Sequence, residues 1–236
     1  MSVRFWDTVR SLQSFVLDLL LPPHCLGCGK EGSLLCSTCE QTLHPLSPPF
    51  CRCGRPLANP GICPHCLDAP LTIDGIRSAF PFHGLIREAI HQLKYRGISS
   101  LAEPLSQLLH QYLQAQPLPA DVLVPVPLHG QRLRQRGFNQ SLLLAAGLGR
   151  RTQLPVWKGA LQRIRSTVPQ AQTANAAERR ANVQGAFASS SRDLAGARIL
   201  LIDDVCTTGS TLDVCATALR EGSAASVWGL TLAREL

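Results

Sequence analysis

Ile199-Leu200-Leu201-Ile202-Asp203-Asp204-Val205-Cys206-Thr207-Thr208-Gly209-Ser210-Thr211 is the stretch on which the fold turns. Four aliphatic residues run into two adjacent carboxylates. Small hydroxyl residues and a glycine follow, and a helical pattern then begins. A continuous apolar tetrad suits a strand buried on both faces, as in a parallel sheet covered by helices. Such a strand delivers its carboxylates to the carboxyl edge of the sheet, where open α/β sheets bind ligands. Adjacent carboxylates can accept hydrogen bonds from a vicinal diol, as on a ribose. Gly209 lets the backbone approach an anion closely. Free N–H groups at the helix start, together with the helix dipole, favour a phosphate there. Thr207, Thr208, Ser210 and Thr211 add hydroxyl donors. Cys206 reads as a partly buried free thiol rather than a nucleophile, because no paired base is evident.

Outward from this stretch, strand and helix patterns alternate. Residues 76–82 read as a strand. Leu85, Ile86, Ala89, Ile90 and Leu93 recur at helical spacing, with Gly97 as a stop. Leu101, Leu105, Leu108, Leu109, Tyr112 and Leu113 form a second helical stripe. Residues 122–126 are a short apolar strand that ends at a proline-rich turn. Asn139 or Ser141 can cap a helix running through Leu148. A strand over 198–202, a helix over 211–220 and a last strand over 226–232 complete the pattern. The alternation predicts an α/β fold with an open, mostly parallel sheet. Three basic clusters could serve an anionic ligand: Lys94 and Arg96; the segment 127–140 with Arg132, Arg134 and Arg136; and Arg163, Arg165, Arg179 and Arg180 in a long segment before the last βαβ unit. Arginine suits bidentate phosphate contacts, although each cluster alone is equally a solvated face.

The Asp-Asp loop closely resembles the PRPP-binding motif of type I phosphoribosyltransferases (PRPP, phosphoribosyl pyrophosphate). That resemblance implies Asp203 and Asp204 on the ribose hydroxyls, and Thr207, Thr208, Gly209, Ser210 and Thr211 around the 5′-phosphate. The order of further elements is similar to that of the ComF family of competence-associated proteins: Leu93-Lys94-Tyr95-Arg96-Gly97, Val124-Pro125-Val126-Pro127-Leu128, Arg132 through Arg136-Gly137-Phe138-Asn139-Gln140, Arg163-x-Arg165-x-Thr167-x-x-Gln170, Arg180-x-Asn182-Val183, then the Asp-Asp loop. These matches span about residues 20–232. The resemblance implies that Lys94, Arg96, Arg132, Arg136, Arg163 and Arg165 contact PRPP. It also implies that residues 129–136 face pyrophosphate and that residues 163–182 form a flap over the site. It implies transfer of ribose 5-phosphate from PRPP with magnesium on the pyrophosphate, and a role in DNA uptake on the cytoplasmic side. The partners it implies are single-stranded DNA and an uptake or helicase-type protein. No residue stands out as a general base, and the acceptor is not legible.

Eight of the ten cysteines lie between residues 25 and 66. Paired Cys-x-x-Cys knuckles in a reducing compartment are a zinc pattern rather than a disulfide framework. Cys25-x-x-Cys28 and Cys36-x-x-Cys39 form one plausible tetrahedral set. Cys63-x-x-Cys66 is a second knuckle whose partner pair is Cys51-x-Cys53. Its single intervening residue makes Cys51 the doubtful ligand, with His65 or His24 as substitutes. Consecutive and interleaved ligand sets both remain open. Four thiolates on zinc supply folding energy that so small a module lacks in apolar core.

The expected organisation is an amphipathic helix over 1–21, a double zinc ribbon over 22–70 and a phosphoribosyltransferase-like domain over 71–236. The formal net charge is +7, and two zinc ions on eight thiolates would lower it to about +3. That mild excess permits a phosphate-bearing or nucleic-acid partner without demanding one. The apolar run 15–21 is interrupted by Asp18 and falls short of the roughly 20 residues of a membrane span. The expectation is a cytoplasmic protein without stable membrane insertion.

Overall fold

The computed structural model of the chain describes residues 22–165, 185–189 and 194–236. The helix expected over 1–21 lies outside them, as do Thr167, Gln170, Arg179, Arg180 and Asn182 of the expected flap.

The chain divides into two compact units, one ending at His44 and the other running from Pro45 to Leu236. Sequence grouping placed all eight clustered cysteines in one module. In the structure the second set folds with the large unit. The first unit contains a bridge between His24 and Glu31 and the short helix α1 (Ser37–Gln41).

The second unit begins with the knuckle around Cys51 and Cys53 and the short helix α2 (Pro64–Asp68). The sheet domain follows in the order β1 (Gly75–Pro81), α3 (Gly84–Tyr95), α4 (Ala102–Ala115), β2 (Val122–Pro125), α5 (Gly130–Arg136), α6 (Gln140–Thr152), β3 (Leu161–Arg163), β4 (Phe187–Ser189), β5 (Arg198–Cys206), α7 (Ser210–Glu221) and β6 (Ser226–Arg234). Four strands form a sheet in the order β1-β6-β5-β2, and every pairing in it is parallel. Ile199, Leu200, Leu201 and Ile202 have no exposed surface, as expected for an inner strand covered on both faces. β3 and β4 form a separate antiparallel pair, which the sequence pattern did not indicate because each is only three residues long.

Two packing contacts fix the elements that carry the site. The Asp213 carboxylate on α7 accepts from the backbone N–H groups of Thr72 and Ile73, at 2.6 and 2.9 Å. This pins the entry to β1 against that helix. On the other side, Asn139 caps α6, its Oδ1 accepting from the Ser141 N–H at 3.0 Å, while its Nδ2 donates to the Val126 carbonyl at 3.0 Å. The start of α6 is thereby tied to the end of β2.

Candidate functional site

β5 continues through the two carboxylates to Cys206, four residues further than the apolar tetrad. Asp203 and Asp204 therefore sit at the carboxyl end of an inner strand, and α7 starts four residues beyond it. Gly209 caps that helix with φ +89°. A methyl group there would lie 2.8 Å from Ile76 Cδ1 and 3.2 Å from Leu71 Cδ1. Both the left-handed backbone and the close floor call for glycine. Ahead of the helix, the Thr208 and Ser210 hydroxyls meet at 2.8 Å.

The end of β5 borders a cavity of about 510 Å³. Asp203, Asp204, Thr207 and Thr211 line it, together with Lys94, Arg132, Arg136 and Arg163. Lys94, in the last turn of α3, places Nζ 2.7 Å from Asp204 Oδ1. The other oxygen, Asp204 Oδ2, is buried and has no hydrogen-bond partner among the described residues. A buried, ionisable oxygen left without a donor is costly, and a ligand hydroxyl would satisfy it. Asp203 Oδ1 accepts from Ser141 Oγ at 2.8 Å and from the Asp204 N–H at 2.9 Å. Burial, and then the neighbouring Asp204 charge, push the Asp203 carboxyl up to about 7 against the pull of those bonds and of Lys94.

The lining is also rich in cations. Arg132 and Arg136 lie on α5, a helix where sequence reading had only a loop. Its first residues hold no apolar stripe that periodicity could detect. Gly137 ends it at φ +79°, and Arg136 Nη1 then donates to Gln140 Oε1 at 2.9 Å. The Arg-Gly-Phe-Asn-Gln element is thus a helix stop, a turn and a cap that aim Arg136 into the cavity. Arg163 is carried by β3 and stacks over the Phe187 ring of β4. Burial and then the charge of Arg136 depress the Arg132 guanidinium, and burial and then Arg132 do the same to Arg163. Guanidinium groups that repel one another yet face one cavity are arranged for an anion.

Arg96 lies outside this cavity and lines an adjoining one with Lys94, Tyr95, Arg132 and Arg136. Arg165 lines neither. Thr208, Gly209 and Ser210 belong to the loop but not to the cavity wall. Sequence reading missed Ser141, Gln140, Arg87 and His91 as lining residues. Ser141 had a signal, as a candidate cap at the start of α6, and Gln140 had one as the end of the Arg-Gly-Phe-Asn-Gln element. Cys206 is 2% exposed, and burial raises its thiol above the ordinary range, so it is not an available nucleophile.

The cysteines form two clusters, Cys25, Cys28, Cys36 and Cys39 in the first unit and Cys51, Cys53, Cys63 and Cys66 in the second. Within each, the sulfurs all lie within 4.8 Å of one another. Cys28 and Cys36 Sγ are 3.7 Å apart, and Cys53 and Cys63 Sγ 3.6 Å. Tetrahedral zinc–thiolate bonds of about 2.3 Å require sulfur separations of about 3.8 Å, so both sets fit the ion. The ligand sets are consecutive. Cys51 is a full member despite its shortened spacing, because Gly54 closes a tight turn back onto the Cys51 carbonyl at 2.8 Å. Neither His24 nor His65 belongs to a cluster.

Two family patterns match this chain: residues 16–67 match one described as "Double zinc ribbon domain" and residues 152–235 one described as "Phosphoribosyl transferase domain". Over 214 residues the chain is 30% identical to "Competence protein ComFC" of Bacillus subtilis, covering 87% of this chain and 86% of that protein. The chain belongs to the ComF family. A second relative is "DNA utilization protein YhgH" of Escherichia coli K12, 33% identical over 83% of this chain and 89% of that one. A third is "Competence protein F" of Haemophilus influenzae, 31% identical over 89% and 96%. Among solved structures, the glutamine PRPP amidotransferase of B. subtilis, complexed with ADP and GMP, aligns with a TM-score of 0.39 at 23% identity. That alignment covers 56% of this chain, which spans about a quarter (26%) of the amidotransferase. As a ComF protein the chain carries a double zinc ribbon and a phosphoribosyltransferase-type domain. Among the described residues, no helix is long and apolar enough to cross a membrane.

Proposed function

We propose that this ComF-family protein binds PRPP with magnesium at the carboxyl end of β5. There it transfers the ribose 5-phosphate to an acceptor, on the cytoplasmic side, in the service of DNA uptake or use. The observation that carries this reading is the buried Asp204 Oδ2 without a donor among the described residues, in a cavity also lined by Lys94, Arg132, Arg136 and Arg163. A diol supplies a hydroxyl for that oxygen, and a chain of phosphates supplies negative charge for the guanidinium groups.

The ligand fits part by part. Asp203 and Asp204 accept from the ribose hydroxyls. The loop 207–211 and the first N–H groups of α7 receive the 5′-phosphate. Arg132, Arg136 and Arg163 receive the pyrophosphate. Magnesium prefers carboxylate and phosphate oxygens; it neutralises the pyrophosphate when bound, and the carboxylate pair suits it. In the reaction the bond from ribose C1 to pyrophosphate oxygen breaks, and the oxygen keeps the electron pair. A bond forms from C1 to the acceptor nucleophile, which gives up a proton. Charge builds on the ring and on the leaving group, so fixed carboxylates and guanidinium groups contribute by electrostatics and positioning.

Thermal unfolding tests the binding step. A ligand at a hundredfold excess over its Kd stabilises by about 2.7 kcal/mol, roughly 5–10 °C for a chain of this length. Magnesium and PRPP should raise the Tm of the wild type by that amount and leave that of Asp204→Ala unchanged. Appearance of pyrophosphate on adding an acceptor would identify a transferase.

A second reading is a PRPP-responsive adaptor that binds single-stranded DNA or an uptake or helicase-type protein. The adjoining cavity favours it, because Tyr95 there is 66% exposed beside Arg96, Arg132 and Arg136. An open ring among cations suits a base and its phosphates. DNA affinity that falls steeply with salt, unaffected by Asp204→Ala and unaccompanied by pyrophosphate release, would favour the adaptor.

A further inference from the structure

Arg234, at the end of β6, is the one arginine buried among the described residues, at 1% exposure. No carboxylate among those residues pairs with it, and its Nε has no acceptor there. A guanidinium taken out of water without a counter-charge is strongly disfavoured. Its contacts are of another kind. Nη1 donates to the Cys53 carbonyl and to Cys206 Sγ, the latter at 3.1 Å, while Nη2 lies 3.5 Å from Cys53 Sγ. Four thiolates around a divalent zinc carry a net charge of about −2. The second cysteine cluster, once loaded, is therefore the missing counter-charge.

The other end of this contact is the Asp-Asp loop. Cys206 pairs in register with Arg234 and ends β5 one residue before Thr207. Cys206 Sγ lies 4.0 Å from where a Gly209 methyl would sit, beneath the turn into α7. A second route runs parallel to the first. The Arg52 carbonyl accepts from the Ile76 N–H at 2.8 Å, and Arg52 Nη1 donates to the Leu71 carbonyl at 3.3 Å. The side chains of Ile76 and Leu71 complete the floor under Gly209. The knuckle is thus bonded to the backbone of Ile76 and Leu71 through Arg52 and to Cys206 through Arg234, the three residues on which the turn at Gly209 rests.

We propose that Arg234 is a positioning residue that couples the second four-cysteine centre to the loop 203–211, so that metal loading of that centre and PRPP binding strengthen one another. The PRPP half of this statement rests on the function proposed above. Coupling between two sites is reciprocal, so ligand at the loop must hold the metal at Cys51, Cys53, Cys63 and Cys66. The first cluster serves as the internal reference and should be indifferent.

The test strips zinc from the full chain with a zinc-selective chelator while pulsing with N-ethylmaleimide. Peptide mass spectrometry then reads the two cysteine sets separately. Magnesium and PRPP should slow labelling of Cys51, Cys53, Cys63 and Cys66 about tenfold and leave Cys25, Cys28, Cys36 and Cys39 unchanged. In Arg234→Lys, which keeps the charge but loses the fork, the protection should fall to within twofold. Equal protection in variant and wild type, or equal slowing of both sets, overturns the proposal. A ligand-free arm measures amide exchange across residues 203–211. Exchange should quicken severalfold in metal-loaded Arg234→Lys, and in the wild type on stripping. Should PRPP fail to bind the wild type, the proposed function falls. The exchange result then decides on Arg234 by itself, and unchanged exchange rejects it. Should the variant fail to fold, the same exchange comparison on loaded and stripped wild type decides.

Discussion

Lys94 Nζ lies 2.7 Å from Asp204 Oδ1, with the two side chains only 18% and 5% exposed. The last turn of α3 and the end of β5, more than a hundred residues apart in sequence, are joined by a shielded ion pair. Breaking one side of such a pair leaves a buried charge. Lys94→Met should cost about 2–4 kcal/mol in urea unfolding. Adding Asp204→Asn should recover most of that loss, because the stranded charge is gone. A double variant no more stable than Lys94→Met would show that the pair is not what the lysine contributes.

Asp203 predicts a pH dependence. Its ordinary value is 3.8 and its folded value about 7, raised first by burial and then by Asp204. Between about pH 4 and 7 the folded chain keeps a proton that the unfolded chain has lost. The cost to stability therefore grows as pH rises through that window and is constant above it. Asp203→Asn removes the charge and keeps an oxygen to accept from Ser141 and the Asp204 N–H. With allowance for solvent screening, the gain is about 1–2 kcal/mol, or roughly 2–8 °C. Calorimetric scans should find this gain at pH 8 and almost none at pH 4.5.

Gly209→Ala meets a left-handed backbone and Ile76 Cδ1 at 2.8 Å. The floor must shift, so a loss of about 1–3 kcal/mol is expected, with weaker ligand protection in thermal scans. Denaturant curves matching those of the wild type would mean that the turn has room the geometry does not suggest.

Both cysteine sets should be loaded. Elemental analysis should find two zinc ions per chain, and about one in Cys51→Ser. Two ions retained in Cys51→Ser would point to a substitute ligand such as His65.

Much of this was legible in the sequence, for particular reasons. The apolar tetrad 199–202 and the carboxylates after it announce a covered parallel strand, and β5 is that strand. Asn139 or Ser141 reads as the cap of the helix through Leu148, and Asn139 is the one that caps it. Lys94, Arg132, Arg136 and Arg163 line the cavity, and Arg96 and Arg165 do not. The helix over 130–136 was missed because it has no buried residue and hence no period to detect. Cys51 was doubted on spacing alone, since one intervening residue gives no sign of the turn that Gly54 closes. Arg234 was invisible. A lone arginine near the end of a strand carries no pattern, and its meaning lies in Cys53, 181 residues away in sequence.

Calorimetric titration of PRPP with magnesium, into zinc-loaded wild type and into Asp203→Asn/Asp204→Asn, tests the central claim most directly. The account predicts a single saturable site in the wild type and an affinity at least a hundredfold weaker, or no heat at all, in the double variant. Equal affinity in both, or no binding by folded wild type, would contradict it.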